Sequence, residues 1–328
     1  MYCPRLDHFV RLNANGSITR CGHMVKPQEF DTITELDTSD WLREVKTQMR
    51  NDQWPEECVR CRQIETLKRD SIRIKSIARH KVLHPLKKNY LIVGGVLDNT
   101  CNSACQTCSA NLSTKIGSLE SKKYKVSDNY VRFWELPQSQ ILEIDVNGGE
   151  PTASKNYKNI LKHLPPNTKI VRMNTNGSRM ITELEDVLKK GITAIVTLSL
   201  DGVDKIHDYV RWPITWKKYN STVDAYLQLR DMYKNLKLDF WTTVSCLNVN
   251  NLPDIKLYAQ QKNIPHAWAF LNSPDVYNVK YKNKFTANSK HIAPDIIGSK
   301  KDNTEELNSY IRKQDYLRKI DIKDYFNF

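Results

Sequence analysis

Tyr90-Leu-Ile-Val-Gly-Gly-Val-Leu-Asp-Asn-Thr-Cys101-Asn-Ser-Ala-Cys105-Gln-Thr-Cys108 joins an apolar strand candidate, at residues 90–93, to a loop bearing three cysteines. Aliphatic, β-branched and aromatic residues favour a strand there. Thiols this close together read as a metal-ligating loop. The pattern of strand and helix repeats downstream. Apolar strands are predicted at Ile141–Val146, Lys169–Asn174, Thr193–Leu200, Leu236–Val244 and Ala267–Leu271. Between them, helical spacing groups Tyr157, Ile160, Leu161 and Leu164, then Ile181, Leu184 and Leu188. A longer helix is marked by Tyr219, Val223, Tyr226, Leu229 and Tyr233, and another by Leu252–Gln261. Strands alternating with helices predict βα units on a parallel sheet, an α/β fold. Such sheets bind ligands at the carboxyl ends of their strands, where the polar motifs of this chain stand.

The wider composition agrees with a globular enzyme or binder. The chain has 328 residues, 50 Lys+Arg against 37 Asp+Glu and a net charge of +13. At 40% hydrophobic and 27% charged it is not disordered as a whole, and 11 glycines exclude a collagenous chain. No apolar stretch is long enough to cross a bilayer, so no membrane partner is expected. Met1-Tyr2-Cys3-Pro4-Arg5 lacks the apolar run of a signal peptide, which predicts a cytoplasmic, reducing setting. There the eight cysteines, at 3, 21, 58, 61, 101, 105, 108 and 246, read as metal ligands before disulfides.

Three thiolates from one loop leave an iron–sulfur cubane one open iron, whereas a fourth would close it. A zinc site, or a cluster completed by a distant cysteine, uses the same residues. Four further motifs follow in order. Gly148-Gly149-Glu150-Pro151 follows the second strand, and Thr175-Asn176-Gly177 the third. Ser199-Leu-Asp201-Gly202 follows the fourth, with His207-Asp208-x2-Arg211 soon after. Taken singly, Asp201-Gly202 and Asn176-Gly177 are ordinary turn sequences.

Together with the cysteine loop, these motifs resemble the radical S-adenosylmethionine superfamily over roughly residues 90–272. The resemblance implies a partial (β/α)6 TIM-like barrel at residues 89–282 and an oxidoreductase. A [4Fe–4S] cluster would sit on Cys101, Cys105 and Cys108, with S-adenosylmethionine chelating the open iron. Gly148 and Gly149 would admit the methionine amine and Glu150 would accept from it. Ser199 and Asp201 suit the ribose hydroxyls, Arg211 the methionine carboxylate, and Asn176 the cofactor's surroundings. Thr107 departs from the family, which usually has an aromatic residue before the third cysteine. The chemistry implied is reductive cleavage to a 5′-deoxyadenosyl radical and hydrogen abstraction from a substrate. No catalytic side chain is assigned.

Residues 1–62 hold the other early cysteines. Cys3, then Gly16-x4-Cys21, then Cys58-x2-Cys61 resemble the opening of twitch/SPASM auxiliary modules, which usually follow the barrel rather than precede it. The resemblance implies a small N-terminal cysteine-rich module with a second, auxiliary [4Fe–4S] cluster, and the alternative is a structural zinc. A helix is predicted from Ser39 or Asp40, with Trp41, Val45 and Met49 on one face. Residues 63–88 are read as a basic connector: 60–88 carry a net +8 and helical character up to Pro85. Residues 283–328 are read as a polar C-terminal extension with a helix from Thr304 to about Lys319.

Relatives with auxiliary modules often modify peptides, so a peptide or protein substrate is the first expectation. A nucleoside or nucleic acid is the second, prompted by the positive charge. A non-catalytic, metal-stabilised nucleic-acid-binding protein is the reading of another class. A reducing donor such as flavodoxin or ferredoxin is expected at the basic connector. Cys246 is read as a small buried hydrophobe or a hydrogen-atom donor. Trp212, Trp216, Trp241 and Trp268 are read as core first and pocket lining second.

Overall fold

A computed structural model describes residues 1–121, 128–287, 289, 298 and 300–326. In chain order the elements begin with α1 (Arg5–His8), β1 (Phe9–Leu12), β2 (Ile18–Thr19), α2 (Ile33–Thr38), α3 (Asp40–Arg50), α4 (Val59–Thr66) and α5 (Ile72–Leu83). Then come β3 (Leu91–Asp98), α6 (Thr114–Glu120), α7 (Tyr130–Glu135), β4 (Ile141–Gly148), α8 (Lys155–Lys162), β5 (Ile170–Thr175) and α9 (Leu184–Lys189). The chain continues with β6 (Thr193–Ser199), α10 (Lys205–Val210), α11 (Trp216–Met232), β7 (Leu236–Val244), α12 (Leu252–Gln261) and β8 (His266–Phe270). It closes with β9 (Tyr281–Lys282), β10 (Lys300–Asp302) and α13 (Thr304–Arg318). Part of the C-terminal extension, at 288, 290–297, 299 and 327–328, lies outside the described residues.

Contacts divide the chain into two compact units interleaved in sequence. The first holds Met1–Asn99, Ser127–Gly148 and Asn159–Arg172, and the second Thr100–Val126, Gly149–Lys158 and Met173–Phe328. Strand order in the first is β2-β1-β3-β4 and then the start of β5. Parallel pairs there include Val10 with Val93, Ile92 with Glu143 and Ile144 with Val171. In the second unit β6, β7 and β8 follow the end of β5, again parallel, with Leu198 opposite Phe240 and Trp241 opposite Ala267.

All six predicted strands form, with ends shifted by a few residues. β3 is buried along nearly its whole length, as a parallel strand covered on both faces should be. β7 instead alternates, burying Leu238, Phe240, Thr242 and Val244. Trp241 therefore faces outward at 40% exposure, and Trp268 on β8 is 39% exposed, which corrects the core reading of both. Trp212 and Trp216 are half-buried. Cys246 is buried, as the bland reading has it, and burial pushes its thiol up.

The front segment does more than carry cysteines. β1 pairs with β3, so residues 9–12 extend the first unit's sheet. Ser39 caps α3 through its hydroxyl, and Leu42, rather than Trp41, joins Val45 and Met49 on the buried face. The basic connector folds as two helices, α4 and α5, broken where Lys68 adopts a left-handed φ of 53°. Ser71 caps α5, and Arg79 from its middle pairs with the fully buried Glu143 of β4. Among the described residues no helix is long and apolar enough to cross a membrane.

Candidate functional site

The second unit gathers most of the motif residues. The cysteine loop leaves β3 and is tied down before α6 begins. Thr114 Oγ1 accepts from the Cys101 amide (3.0 Å) and donates to its carbonyl (3.1 Å). Ser113 donates to Ser103 O at 2.7 Å while capping α6. The Ser103 hydroxyl stands 3.4 Å from Cys101 Sγ and 3.6 Å from Cys105 Sγ, so both sulfurs flank one small polar group.

A second segment, residues 210–212, accepts hydrogen bonds from the loop. Ala104 N donates to Trp212 O at 2.8 Å, and Gln106 N to Val210 O at 2.9 Å. These two bonds hold Arg211 near Cys105, close enough for the sulfur's charge to act on the guanidinium. Arg211 Nη1 lies 3.0 Å from Asp201 Oδ2. Its buried Nε has no hydrogen-bond partner among the described residues. Burial would push the guanidinium down, but the Cys105 and Asp201 charges hold it up. Asp201, 2% exposed, also accepts from the Thr243 amide at 2.7 Å.

Glu150 is 1% exposed. Its Oε1 accepts from Thr152 N (3.0 Å) and Thr175 Oγ1 (2.7 Å), and its Oε2 from Asn176 N (2.6 Å). Asn176 in turn donates to Asn102 Oδ1 (2.8 Å) and Ser103 Oγ (3.1 Å). One polar chain thus runs from the Gly-Gly-Glu turn through the Thr-Asn-Gly turn to the cysteine loop. Gly149 lies in the second unit, at the start of that turn. Gly177 takes a φ of 71°, and a Cβ there would meet the Tyr219 ring at 2.5 Å. Gly148 belongs to the first unit, where a Cβ would meet Asp98 O at 1.9 Å, so packing of β3 on β4 already requires it. Ser199 ends β6, half-buried.

Three neighbours carry no site role in the sequence reading. His207 is fully buried, and burial with the neighbouring Arg211 charge pushes it down to about 3. Its ring lies 4.5 Å from Tyr219, whose buried hydroxyl has no hydrogen-bond partner among the described residues. Arg318 of α13 donates to the loop itself, to Ala104 O at 2.9 Å and Cys105 O at 3.5 Å. Arg318 is one of two arginines in that helix, and nothing in its spacing sets it apart in the sequence.

The first unit brings the other four early cysteines together. Cys3, Cys21, Cys58 and Cys61 line one small cavity, with Leu6, Met24 and Arg73 among its walls. Arg5 Nε donates to Cys21 Sγ at 3.3 Å, and the His23 amide at 3.4 Å. Burial, reinforced by the other sulfurs, pushes Cys3 and Cys58 up to about 12. In the second unit's loop, burial and the Cys105 charge push Cys108 up to about 12 and Cys101 in the same direction. Among the described residues no three His, Cys, Asp or Glu side chains stand close enough to share a single ion. A cubane asks for a looser set, since each thiolate meets its own iron.

No protein-family model matches the chain, and no curated protein matches it either. Among solved structures it is similar to Streptococcus suis SuiB bound to S-adenosylmethionine, at 13% identity and TM-score 0.44, covering 95% of this chain and 70% of that one. SuiB bound to precursor peptide SuiA gives 14% identity and TM-score 0.43, with 96% and 70% covered. Native anSMEcpe with bound AdoMet gives 17% and 0.41, over 69% of this chain. The chain spans only 61% of the anSMEcpe chain.

Proposed function

We propose that this chain is a radical S-adenosylmethionine enzyme. The observation that carries the reading is the pair of backbone hydrogen bonds between the cysteine loop and residues 210–212. It sets a buried guanidinium, with one N–H unspent, beside Cys105. An orphaned buried donor next to three thiols suits an anionic ligand held against a cluster.

In this reading Cys101, Cys105 and Cys108 hold a [4Fe–4S] cluster. When bound, the cluster and S-adenosylmethionine supply one-electron cleavage of the sulfonium to methionine and a 5′-deoxyadenosyl radical. Arg211 offers its free Nε to the methionine carboxylate while Asp201 fixes the guanidinium plane. Gly149 leaves room at the methionine amine. Glu150 keeps a spare lone pair on Oε2 for that amine, since its three present bonds leave one of a carboxylate's accepting positions open. Asn176 braces both turns, and Ser199 and Asp201 face the ribose. Cys3, Cys21, Cys58 and Cys61 close an auxiliary cluster in residues 1–62, and full thiolate ligation there suits electron transfer or structure. The substrate is a peptide or protein, by the resemblance of that cysteine pattern to modules of peptide-modifying enzymes.

Anaerobic reconstitution with iron and sulfide, followed by dithionite and S-adenosylmethionine, tests the proposal. The expected result is 5′-deoxyadenosine. Metal uptake without that product would instead favour a non-catalytic binder.

A further inference from the structure

Two arginines stand at the cysteine loop, and their charges are handled differently. Arg211 has a carboxylate partner in Asp201. Arg318, the last residue of α13, is 4% exposed. Its Nε and Nη2 donate to the carbonyls of Ala104 and Cys105, and its Nη1 to the carbonyl (3.1 Å) and Oε1 of Gln314. All four acceptors are neutral oxygens. Asp315, three residues back on the same helix, feels the Arg318 charge but spends its hydrogen bonds elsewhere: Oδ1 accepts from the Tyr209 hydroxyl at 2.8 Å and Oδ2 from the Ile322 amide at 2.9 Å.

A buried cation served only by neutral acceptors is costly unless an anion lies against it. The loop that Arg318 grips is where such an anion would form. A [4Fe–4S] core on three thiolates is net negative, and one electron makes it more so. We propose that Arg318 is the counter-cation of that cluster. It pins the loop through two carbonyls, and its charge, which no carboxylate hydrogen-bonds among the described residues, stabilises the reduced form, raising the reduction potential. The C-terminal helix is then part of the redox site. This rests on the iron–sulfur reading above.

The test uses the reconstituted full chain in a potentiometric titration with dithionite. It follows the paramagnetic signal that the Cys101, Cys105, Cys108→Ala variant lacks, which separates this cluster from any other. Gln314→Glu is the decisive variant. It places a carboxylate on Arg318 Nη1 and removes no hydrogen bond to the loop. The loop irons should be retained while the reduced-to-oxidised ratio at fixed poise falls about tenfold, a downward shift of about 59 mV for a one-electron couple. Arg318→Gln should move the same way, and Arg318→Lys should stay near wild type. An unchanged potential in Gln314→Glu and Arg318→Gln, with irons retained, overturns the proposal. So does loss of the loop irons from Arg318→Gln and Arg318→Lys alike while Gln314→Glu keeps the wild-type potential, since Arg318 would then act on loop structure alone. If wild-type protein holds no more iron than the triple-cysteine variant, the iron–sulfur reading itself has failed and this inference falls with it.

Discussion

The two cysteine sets are built on opposite plans. The loop set is local: Cys101, Cys105 and Cys108 lie in one turn tied to Thr114, Ser113, Val210 and Trp212. The front set is assembled from afar, with Cys3 before α1, Cys21 after β2, and Cys58 and Cys61 around the start of α4, all lining one cavity. A local set can supply three ligands and leave a corner free, and its surroundings supply polar groups for whatever binds there. A dispersed set of four gains by linking distant segments, much as a structural metal does. The loop set has Glu150, Asp201 and Arg211 in its own unit. The front cavity is walled by Leu6, Met24, Met49 and Ile72. One plan suits reaction, the other closure.

The contrast breaks most sharply on removing each set in turn. Replacing Cys101, Cys105 and Cys108 by Ala should abolish S-adenosylmethionine cleavage and remove about four irons per chain, one cubane's worth. Cleavage at the wild-type rate would end the radical reading. Replacing Cys3, Cys21, Cys58 and Cys61 should also remove about four of about eight irons, but leave 5′-deoxyadenosine formation with dithionite measurable. Four irons and one zinc in wild type would establish zinc at the front.

Arg211→Lys probes the free corner. A compact ammonium cannot keep the Asp201 contact and offer a second donor in the same plane. S-adenosylmethionine affinity, read by equilibrium binding to the reconstituted protein, should weaken by about 1–3 kcal/mol, the range for a hydrogen bond to a charged partner. Unaltered affinity would free Arg211 from the cofactor and leave it a partner of Asp201 alone.

These residues differ in how far the sequence exposed them. The strands and helices from β3 to β8 were legible because each repeats a short periodic pattern, and the motifs fall where those strands end. Asp201 pairing with Arg211 was not legible: each was assigned to a different part of the cofactor, and only the folded segment makes them neighbours. β1 was hidden because Phe9-Val-Arg-Leu12 is too short for periodicity to declare a strand. The convergence of Cys3 with Cys58 depends on how α1, α3 and α4 pack, a non-local outcome that spacing alone does not encode. The basic connector was legible as charge, but not its internal use. Arg79 is spent on Glu143, and Arg73 on Glu65 and the Tyr2 carbonyl.

Loading should carry a pH signature in both sets, since the ligand is the thiolate. Cys3, Cys58 and Cys108 are each pushed up to about 12 by burial, with neighbouring sulfurs adding to it. Below that value the thiolate fraction grows about tenfold per pH unit, so cluster uptake should quicken between pH 7 and 9 and release protons. Uptake that is flat with pH would show that the apo thiols are already ionised.

The smallest effect concerns the surface beside the front set. Lys68, Arg69 and Lys75 are exposed, whereas Arg73 has only 11% of its side chain exposed and lines the cysteine cavity. Docking of an acidic protein donor would therefore use the first three and not Arg73, whose loss would disturb Glu65 and the cavity wall together. The ordinary fate of such charges is to sit in water and do nothing. Their effect must then depend on both donor and salt to count as docking. Exchanging Lys68, Arg69 and Lys75 for Gln should slow turnover with a flavodoxin-type donor several-fold at low ionic strength. The deficit should shrink once the Debye length falls below about 10 Å, near 0.1 M salt, because on-rate carries most of the attraction. Turnover with dithionite, which needs no docking surface, should match wild type. Equal slowing with both reductants would report damage to α4 and α5, and equal rates with both would return these lysines and this arginine to the solvated face of a helix.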